Sequence, residues 1–179
     1  MSFNVVIPAR LNSSRLKEKV LIEIHGIPML IHVAQRVSLS GAKNIVIATD
    51  DKKIEQVASH YNFKSVMTNK NHLSGTDRCL EASDINMWAD QDIIVNVQAD
   101  EPLIDPALID LVAKNVTESE SGYVTACSEF KSYKEFINPN NVKVVLDNHS
   151  HALYFSRIYQ VRGRHANNAE ALGNLAVGV

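Results

Sequence analysis

The segment Phe3–Ala9 reads FNVVIPA, and it decides the fold class. Its apolar residues follow one another without the polar alternation of a strand that faces water on one side. This pattern is typical of a strand buried on both faces of a parallel sheet, and Pro8 is expected to end it. The pattern returns in Asn44–Thr49 (NIVIAT) and in residues 92–98 (DIIVNVQ). The three segments predict the central strands of an open sheet.

Predicted helices separate these strands. Apolar residues recur at helical spacing between Pro28 and Gly41, and a proline at the start with a left-handed glycine at the end is typical of helix bounds. Further helices are predicted over residues 51–60, about 74–88 and about 106–116. Further strands are predicted over residues 65–67, 123–130, 142–146 and 152–156. The alternation favours an α/β fold: a mostly parallel open sheet with helices on both faces.

Composition and charge exclude several classes of protein. The net charge of the 179 residues is -2, so no overall positive field draws the chain to nucleic acid or to an anionic membrane. No apolar run reaches the roughly 18 residues that span a bilayer, and residues 1–10 lack a signal peptide pattern. Cys79 and Cys127 have no zinc-binding spacing. We therefore expect a cytoplasmic protein that binds neither nucleic acid nor membranes.

Ligands of such sheets bind beyond the carboxyl ends of the strands, which makes three loops candidates. The first follows Ala9 and carries Arg10, Arg15 and Lys19 together with the hydroxyl of Ser13. Arginine makes forked contacts with phosphate oxygens, and lysine supplies a mobile charge. This loop is therefore suited to a triphosphate. The alternative is a solvated basic loop.

The other two loops have different chemistry. Residues 72–78 read HLSGTDR, and small hydroxyl residues with a glycine before a helix can present backbone N–H groups to a base or phosphate. A plain helix cap is the alternative. Residues 98–102 read QADEP, where Asp100 and Glu101 suit a divalent cation such as Mg²⁺. A turn in which Asp100 accepts from backbone amides is the alternative. The Walker A and GxGxxG patterns are absent, which disfavours P-loop and classical dinucleotide-binding folds.

Taken together, these stretches resemble the CMP-Kdo synthetases, the 3-deoxy-manno-octulosonate (Kdo) cytidylyltransferases of lipopolysaccharide synthesis. The matching stretches, in order, are PAR with the following SRL and Lys19, SGTDR, VNVQADEP, NPNNVKVVLD and ALYFSR. The resemblance covers residues 1–157. It predicts a nucleotidyltransferase α/β domain over residues 1–157. Residues 158–179 are rich in Ala, Asn and Gly, which predicts a divergent, poorly packed tail, with a short helix over residues 168–172 as the alternative.

The resemblance implies the nucleotide-diphospho-sugar transferase fold, with CTP and Kdo as substrates and Mg²⁺ as cofactor. The anomeric hydroxyl of Kdo would attack the α-phosphorus of CTP, and pyrophosphate would leave. Arg10 and Lys19 would be the catalytic residues because they hold the phosphates; Asp100 would bind the metal, and Gln98 would lie near the sugar acid. The residues that it assigns to CTP are Ala9, Arg10, Ser13, Arg15, Lys19, Ser74, Gly75 and Arg78.

The sequence departs from the family pattern in several places. Lys17-Glu18 stands where the family has Pro-Gly. Ala99 replaces a glycine, which would cost about 1 kcal/mol if that position required a positive φ. Residues 158–179 contain no aspartate, whereas the family has a second metal ligand and its homodimer segments beyond this point. Three hypotheses follow: a working cytidylyltransferase, a truncated or frameshifted chain that at most binds nucleotide, or a related CMP-sialic-acid-type or other sugar nucleotidyltransferase.

Overall fold

The computed structural model describes residues 2–11, 16–158 and 175–178, with the side chains of the last range left aside. The chain divides into two compact units, Met1–Val124 and Thr125–Val179. The domain boundary predicted after residue 157 stays a prediction, because most of the residues that follow it lie outside the described part.

The first unit is built on a parallel sheet of four strands. The unit has six strands among its described residues. In chain order they are β1 (Phe3–Ala9), β2 (Glu23–Ile24), β3 (Ile27–Pro28), β4 (Asn44–Thr49), β5 (Ser65–Met67) and β6 (Ile93–Asn96). Its helices are α1 (Met29–Val37), α2 (Lys52–His60), α3 (Gly75–Ile85) and α4 (Pro106–Glu118). The sheet order is β5-β4-β1-β6 with every neighbouring pair parallel, while β2 and β3 form a small antiparallel ribbon. The predicted central strands and the parallel sheet are confirmed.

Both faces of β1 are covered, and all seven of its residues are buried. Val5 and Ile7 belong to an apolar cluster with residues of α1, α2 and α4. Val6, which points to the opposite face, clusters with Cys79 and Ala82 of α3. Each fully buried branched side chain contributes on the order of 2 kcal/mol, so this double burial makes β1 the centre of the unit. It also confirms the prediction of helices on both faces.

Pro8 lies within β1 rather than ending it as predicted. The carbonyl of Val6 accepts a hydrogen bond from the Val97 N–H at 3.0 Å, on the β6 side. Alternate residues of a strand bond to the same neighbour, so the N–H that proline lacks would face that side too. Because β6 ends at Asn96, no ladder bond is lost there.

Helix α1 ends earlier than predicted, and Gly41 has a different role. Ser38 is its last boundary residue and donates its N–H to Ala34 O at 2.9 Å. Gly41 does not adopt a positive φ. Its N–H donates to Asp110 Oδ1 at 2.8 Å, and a Cβ at Gly41 would lie 3.3 Å from that oxygen. The glycine therefore permits the close approach of α4 instead of a left-handed helix end.

The second unit contains a separate antiparallel sheet. Its elements are β7 (Cys127–Glu129), α5 (Tyr133–Ile137), β8 (Lys143–Leu146), β9 (Ala152–Ser156) and β10 (Leu175–Gly178). The sheet order is β7-β10-β8-β9. Sequence patterns did not predict α5, and the strand predicted over residues 123–130 is shorter. Sequence patterns also did not predict β10, which pairs with both β7 and β8, and the packing of the tail over residues 158–179 stays a prediction.

The NPNNVKVV stretch contains a buried lysine, Lys143, whose side chain is hydrogen-bonded to the backbone of the preceding residues. Lys143 is only 3% exposed. Its Nζ donates to the carbonyls of Asn138 (2.6 Å), Asn141 (3.0 Å) and Arg157 (3.1 Å). An ammonium group has three donors, so this buried charge is fully hydrogen-bonded. The residues before Lys143 fold around its side chain.

None of the helices in the described residues has the length and apolarity needed to cross a membrane.

The two departures from the family pattern differ in their backbone conformation. Ala99 does not have a positive φ, so alanine causes no left-handed strain there. Glu18, at the position of the family glycine, has a φ of 54° and lies in the left-handed region. Its carboxylate Oε2 lies 2.5 Å from Lys53 Nζ, in a pair whose side chains are partly exposed. The backbone at residue 18 therefore favours glycine, although this chain has a glutamate.

We predict that a Glu18→Gly variant is more stable than a Glu18→Ala variant by about 1 kcal/mol. Both variants lose the contact with Lys53, but only glycine adopts a positive φ without a steric cost. Urea denaturation measures the two free energies of unfolding. At Lys17, which has no positive φ, the same pair of substitutions should favour alanine. Equal stability of the two Glu18 variants would contradict the prediction.

Candidate functional site

The three predicted loops meet at one edge of the parallel sheet. They follow β1, β5 and β6, whose carboxyl ends lie on the same side because the strands are parallel. The first loop begins at Arg10, the second spans residues 68–74, and the third spans residues 97–105. Side-chain contacts connect the first loop to each of the other two.

Arg10 connects the first loop to the second. Its Nη2 donates to His72 O at 2.6 Å and to Ser74 O at 3.2 Å. Within the described residues, its Nε and Nη1 have no acceptor. A guanidinium has five N–H donors in a rigid plane, so the remaining donors are available to an anion.

Lys19 connects the first loop to the third. Its Nζ lies 2.6 Å from Asp100 Oδ2, and the two side chains are 38% and 42% exposed. An ion pair with this exposure contributes at most about 1 kcal/mol, so a ligand can displace it. Lys19, predicted to hold phosphate, and Asp100, predicted to hold the metal, therefore form an ion pair with each other in this structure.

The start of α3 lies against the ends of β1 and β6. A Cβ at Gly75 would lie 3.4 Å from Pro8 Cγ and 3.8 Å from the side-chain Nε2 of Gln98. Gln98 is exposed and donates to Asn96 Oδ1 at 3.2 Å. Ala9 is fully buried and carries the first loop without forming part of its surface. The second and third loops are thus adjacent.

Ser74 forms a capping box with Asp77. Its hydroxyl donates to Asp77 Oδ2 at 2.7 Å and accepts the Asp77 N–H at 3.1 Å, while its own N–H donates to Asp77 Oδ2 at 3.0 Å. The Ser74 side chain and N–H hold the pKa of the Asp77 carboxyl below its usual value. The helix cap that the sequence analysis gave as the alternative for residues 72–78 is therefore present. In the described part of the chain, the N–H groups of Gly75 and Thr76 have no acceptor and can meet a ligand.

Arg78 lies inside the first unit. It is fully buried, its Nη2 donates to Asp50 Oδ2 at 2.8 Å, and its Nη1 donates to Thr68 Oγ1. Its Nε is buried without a partner in the described residues. Direct contact of Arg78 with nucleotide stays a prediction, and its position favours an indirect role through Thr68, the first residue of the second loop.

Two predicted phosphate ligands, Ser13 and Arg15, lie outside the described residues. Sequence patterns missed Asp50 and Glu81, and they placed His72 in the second loop without giving it a role. Asp50 follows β4 as Arg10 follows β1, so a polar residue directly after a buried strand was a usable signal for it. His72 begins the HLSGTDR stretch that the sequence marked as a candidate loop, but no local pattern predicted its contact with Glu81.

Asp100 is the candidate metal ligand, and the residues around it suit tight binding of Mg²⁺ only together with a phosphate ligand. No group of three or more His, Cys, Asp or Glu residues in the described ranges is arranged to hold a metal. Mg²⁺ retains several waters and is usually bound by one or two carboxylates plus substrate phosphates. Asp100 is an exposed carboxylate 2.6 Å from Lys19, and Arg10 follows a neighbouring strand at the same sheet edge, so phosphates attracted by the two cations could complete such a site.

The sequence is similar to those of known cytidylyltransferases. The sequence model of the family described as "Cytidylyltransferase" matches residues 4–173, a range that runs past residue 157. A 3-deoxy-manno-octulosonate cytidylyltransferase of Methylibium petroleiphilum is 48% identical over 88% of this chain and 60% of its own length. A protein of the same name from Serratia proteamaculans is 43% identical over 97% of this chain and 71% of its own length.

Solved structures give the same result. A CMP:2-keto-3-deoxy-manno-octonic acid synthetase complexed with CTP matches all of this chain and 72% of its own chain, with a TM-score of 0.83 at 35% identity. The predicted nucleotide-diphospho-sugar transferase fold is therefore confirmed. The chain spans about 60% of the length of the Methylibium protein.

We predict that Asp50→Ala lowers the free energy of unfolding by about 3 kcal/mol, because it leaves the buried Arg78 guanidinium without a counter-charge. Adding Arg78→Met to this variant should recover most of the loss, since the buried charge is then removed as well. Urea denaturation measures both effects. Asp90→Ala, at an exposed aspartate, is the control and should change little. A loss from Asp50→Ala no larger than that of the control would contradict the prediction.

Proposed function

Since this chain belongs to the cytidylyltransferase family, together with the 3-deoxy-manno-octulosonate cytidylyltransferases, we propose that it transfers the cytidylyl group of CTP to 3-deoxy-manno-octulosonate. The anomeric oxygen of the sugar acid forms a bond to the α-phosphorus and loses its proton. The bond between the α-phosphorus and the bridging oxygen breaks, and pyrophosphate leaves. The product supplies lipopolysaccharide synthesis, and we place the reaction in the cytoplasm, where CTP is made.

One observation carries the proposal: the first loop contacts both of the others through the residues expected to bind CTP. Lys19 meets Asp100, and Arg10 meets the carbonyls of His72 and Ser74. Phosphoryl transfer needs little covalent chemistry from the protein, and it depends on positioning and on charge stabilisation. Two cations and one carboxylate at the same sheet edge provide both.

We assign the following roles to the residues of the three loops. Arg10 and Lys19 would hold the phosphates through direct N–H contacts, and Ser13 and Arg15, which follow Arg10 in the sequence, would assist them. The start of α3 at Ser74 and Gly75 would receive the nucleotide, and the backbone N–H groups available to it there are those of Gly75 and Thr76. Gln98 lies on the side of the sugar acid. Asp100 would hold Mg²⁺, which when bound neutralises phosphate charge and orients the leaving group.

The proposal predicts that the chain releases pyrophosphate when CTP, Mg²⁺ and 3-deoxy-manno-octulosonate are all present. Asp100→Asn should lower the rate at least about 100-fold, because it removes a charged metal ligand. Asp90→Asn, with the same change at an exposed aspartate away from the loops, should keep the wild-type rate. A coupled pyrophosphate assay measures the three proteins.

Other outcomes distinguish the remaining hypotheses. CTP binding by calorimetry without pyrophosphate release would favour a chain that binds nucleotide only. Release with N-acetylneuraminate but not with 3-deoxy-manno-octulosonate would favour a CMP-sialic-acid-type enzyme. Failure to bind CTP at all would overturn the proposal.

A second prediction follows from the Lys19–Asp100 pair. Without nucleotide, Lys19 competes with a metal for the Asp100 carboxylate, so Lys19→Met should bind Mn²⁺ about threefold more tightly than the wild type. Paramagnetic resonance of free Mn²⁺ measures the affinity. Lys17→Met is the matched control, because Lys17 belongs to the same loop but does not contact Asp100. An equal rise in both variants, or none in Lys19→Met, would contradict the prediction.

A further inference from the structure

One side of α3 holds the second loop, residues 68–74, through three side chains. Asp77 forms the capping box with Ser74 at the end of the loop. Arg78 donates to Thr68 at its beginning. Glu81 contacts the residues between them. Since residues three and four positions apart lie on the same side of a helix, all three side chains reach the loop from one surface.

Glu81 makes two contacts with the middle of the loop through one oxygen. Its Oε2 accepts the backbone N–H of Asn69 at 2.7 Å and lies 2.5 Å from His72 Nε2. The side chains of Glu81 and His72 are 33% and 19% exposed, so the pair is partly shielded from water. The contact with His72 and the N–H of Asn69 hold the pKa of Glu81 below its usual value. Glu81 therefore fixes both the position of His72 and the course of the backbone before it.

The same loop residue orients Arg10. The carbonyl of His72 accepts from Arg10 Nη2 at 2.6 Å, and the carbonyl of Ser74 accepts from the same nitrogen at 3.2 Å. A guanidinium is planar and rigid, so two carbonyls on one nitrogen determine where its other donors point. Within the described residues these other donors have no acceptor. The direction in which Arg10 meets a phosphate thus depends on where the His72 carbonyl lies.

We propose that Glu81 is a positioning residue for nucleotide binding: it holds His72 so that the loop carbonyls aim Arg10 at the phosphates of the nucleotide. This inference rests on the proposed function, in which Arg10 binds CTP. Glu81 itself does not contact Arg10, and it acts through the loop. The orientation of Arg10 thus depends on Glu81, a residue of α3 that sequence patterns had not indicated.

The test compares four variants of the full chain. Glu81→Ala removes both loop contacts, whereas Glu81→Gln keeps an oxygen that can accept from both groups. Glu81→Asp keeps the charge but withdraws it by one methylene group. Asp84→Ala, at an exposed aspartate on the same helix, is the control. Calorimetry measures the Kd for CTP, and amide hydrogen exchange measures the opening of residues 69–74 without nucleotide.

We expect Glu81→Ala to raise the Kd for CTP about tenfold and to speed hydrogen exchange in residues 69–74. Glu81→Asp should behave like Glu81→Ala, and its retained charge keeps the test usable if the alanine variant does not fold. The Kd of Glu81→Gln for CTP should stay within about threefold of the wild-type value, and the control Asp84→Ala should have the wild-type Kd. Faster exchange with an unchanged Kd, or a raised Kd with unchanged exchange, would overturn the proposal.

A double-mutant cycle separates positioning from general destabilisation. If Glu81 acts through Arg10, Glu81→Ala should weaken CTP binding no further in an Arg10→Met background. Additive losses would overturn the proposal. A wild-type chain that does not bind CTP would instead contradict the proposed function, and hydrogen exchange of residues 69–74 would still show whether Glu81 holds the loop.

Discussion

The candidate site depends on the parallel pairing of β1 with both β4 and β6. Residues such as Arg10 and Asp100 are far apart in the chain, and each comes shortly after a strand of this sheet. Parallel register brings those strand ends to one edge, where side chains of ordinary length can meet. Double burial of β1 keeps the edge rigid, because displacement of the strand would expose apolar surface on both faces at once.

Charge at this edge is compensated in two ways. Lys19 and Asp100 form an exposed pair that a nucleotide with its metal can separate at little cost. Arg78 and Asp50 form a buried pair, where separation would leave a charge in the protein interior. The exposed pair is thus suited to exchange partners, and the buried one to maintain the geometry around the second loop.

The sequence predicted the sheet well because uninterrupted apolar runs have few alternatives, as in Asn44–Thr49. It also predicted which loops meet, since strand polarity alone determines their common edge. It did not predict the contact between Glu81 and His72, because that contact depends on the course of the second loop. The family resemblance assigned Arg78 to the nucleotide, whereas in the structure a carboxylate and a hydroxyl make its burial tolerable.

The second loop and most of the side chains that hold it come from one continuous stretch, residues 68–81. A protein engineer who exchanged the loop alone between related enzymes would separate it from Asp77, Arg78 and Glu81, which determine its shape. Transplanting the stretch as a whole would preserve those contacts. Recombination between related genes would favour the same unit of exchange, because a crossover outside the stretch leaves the loop and its supporting helix matched.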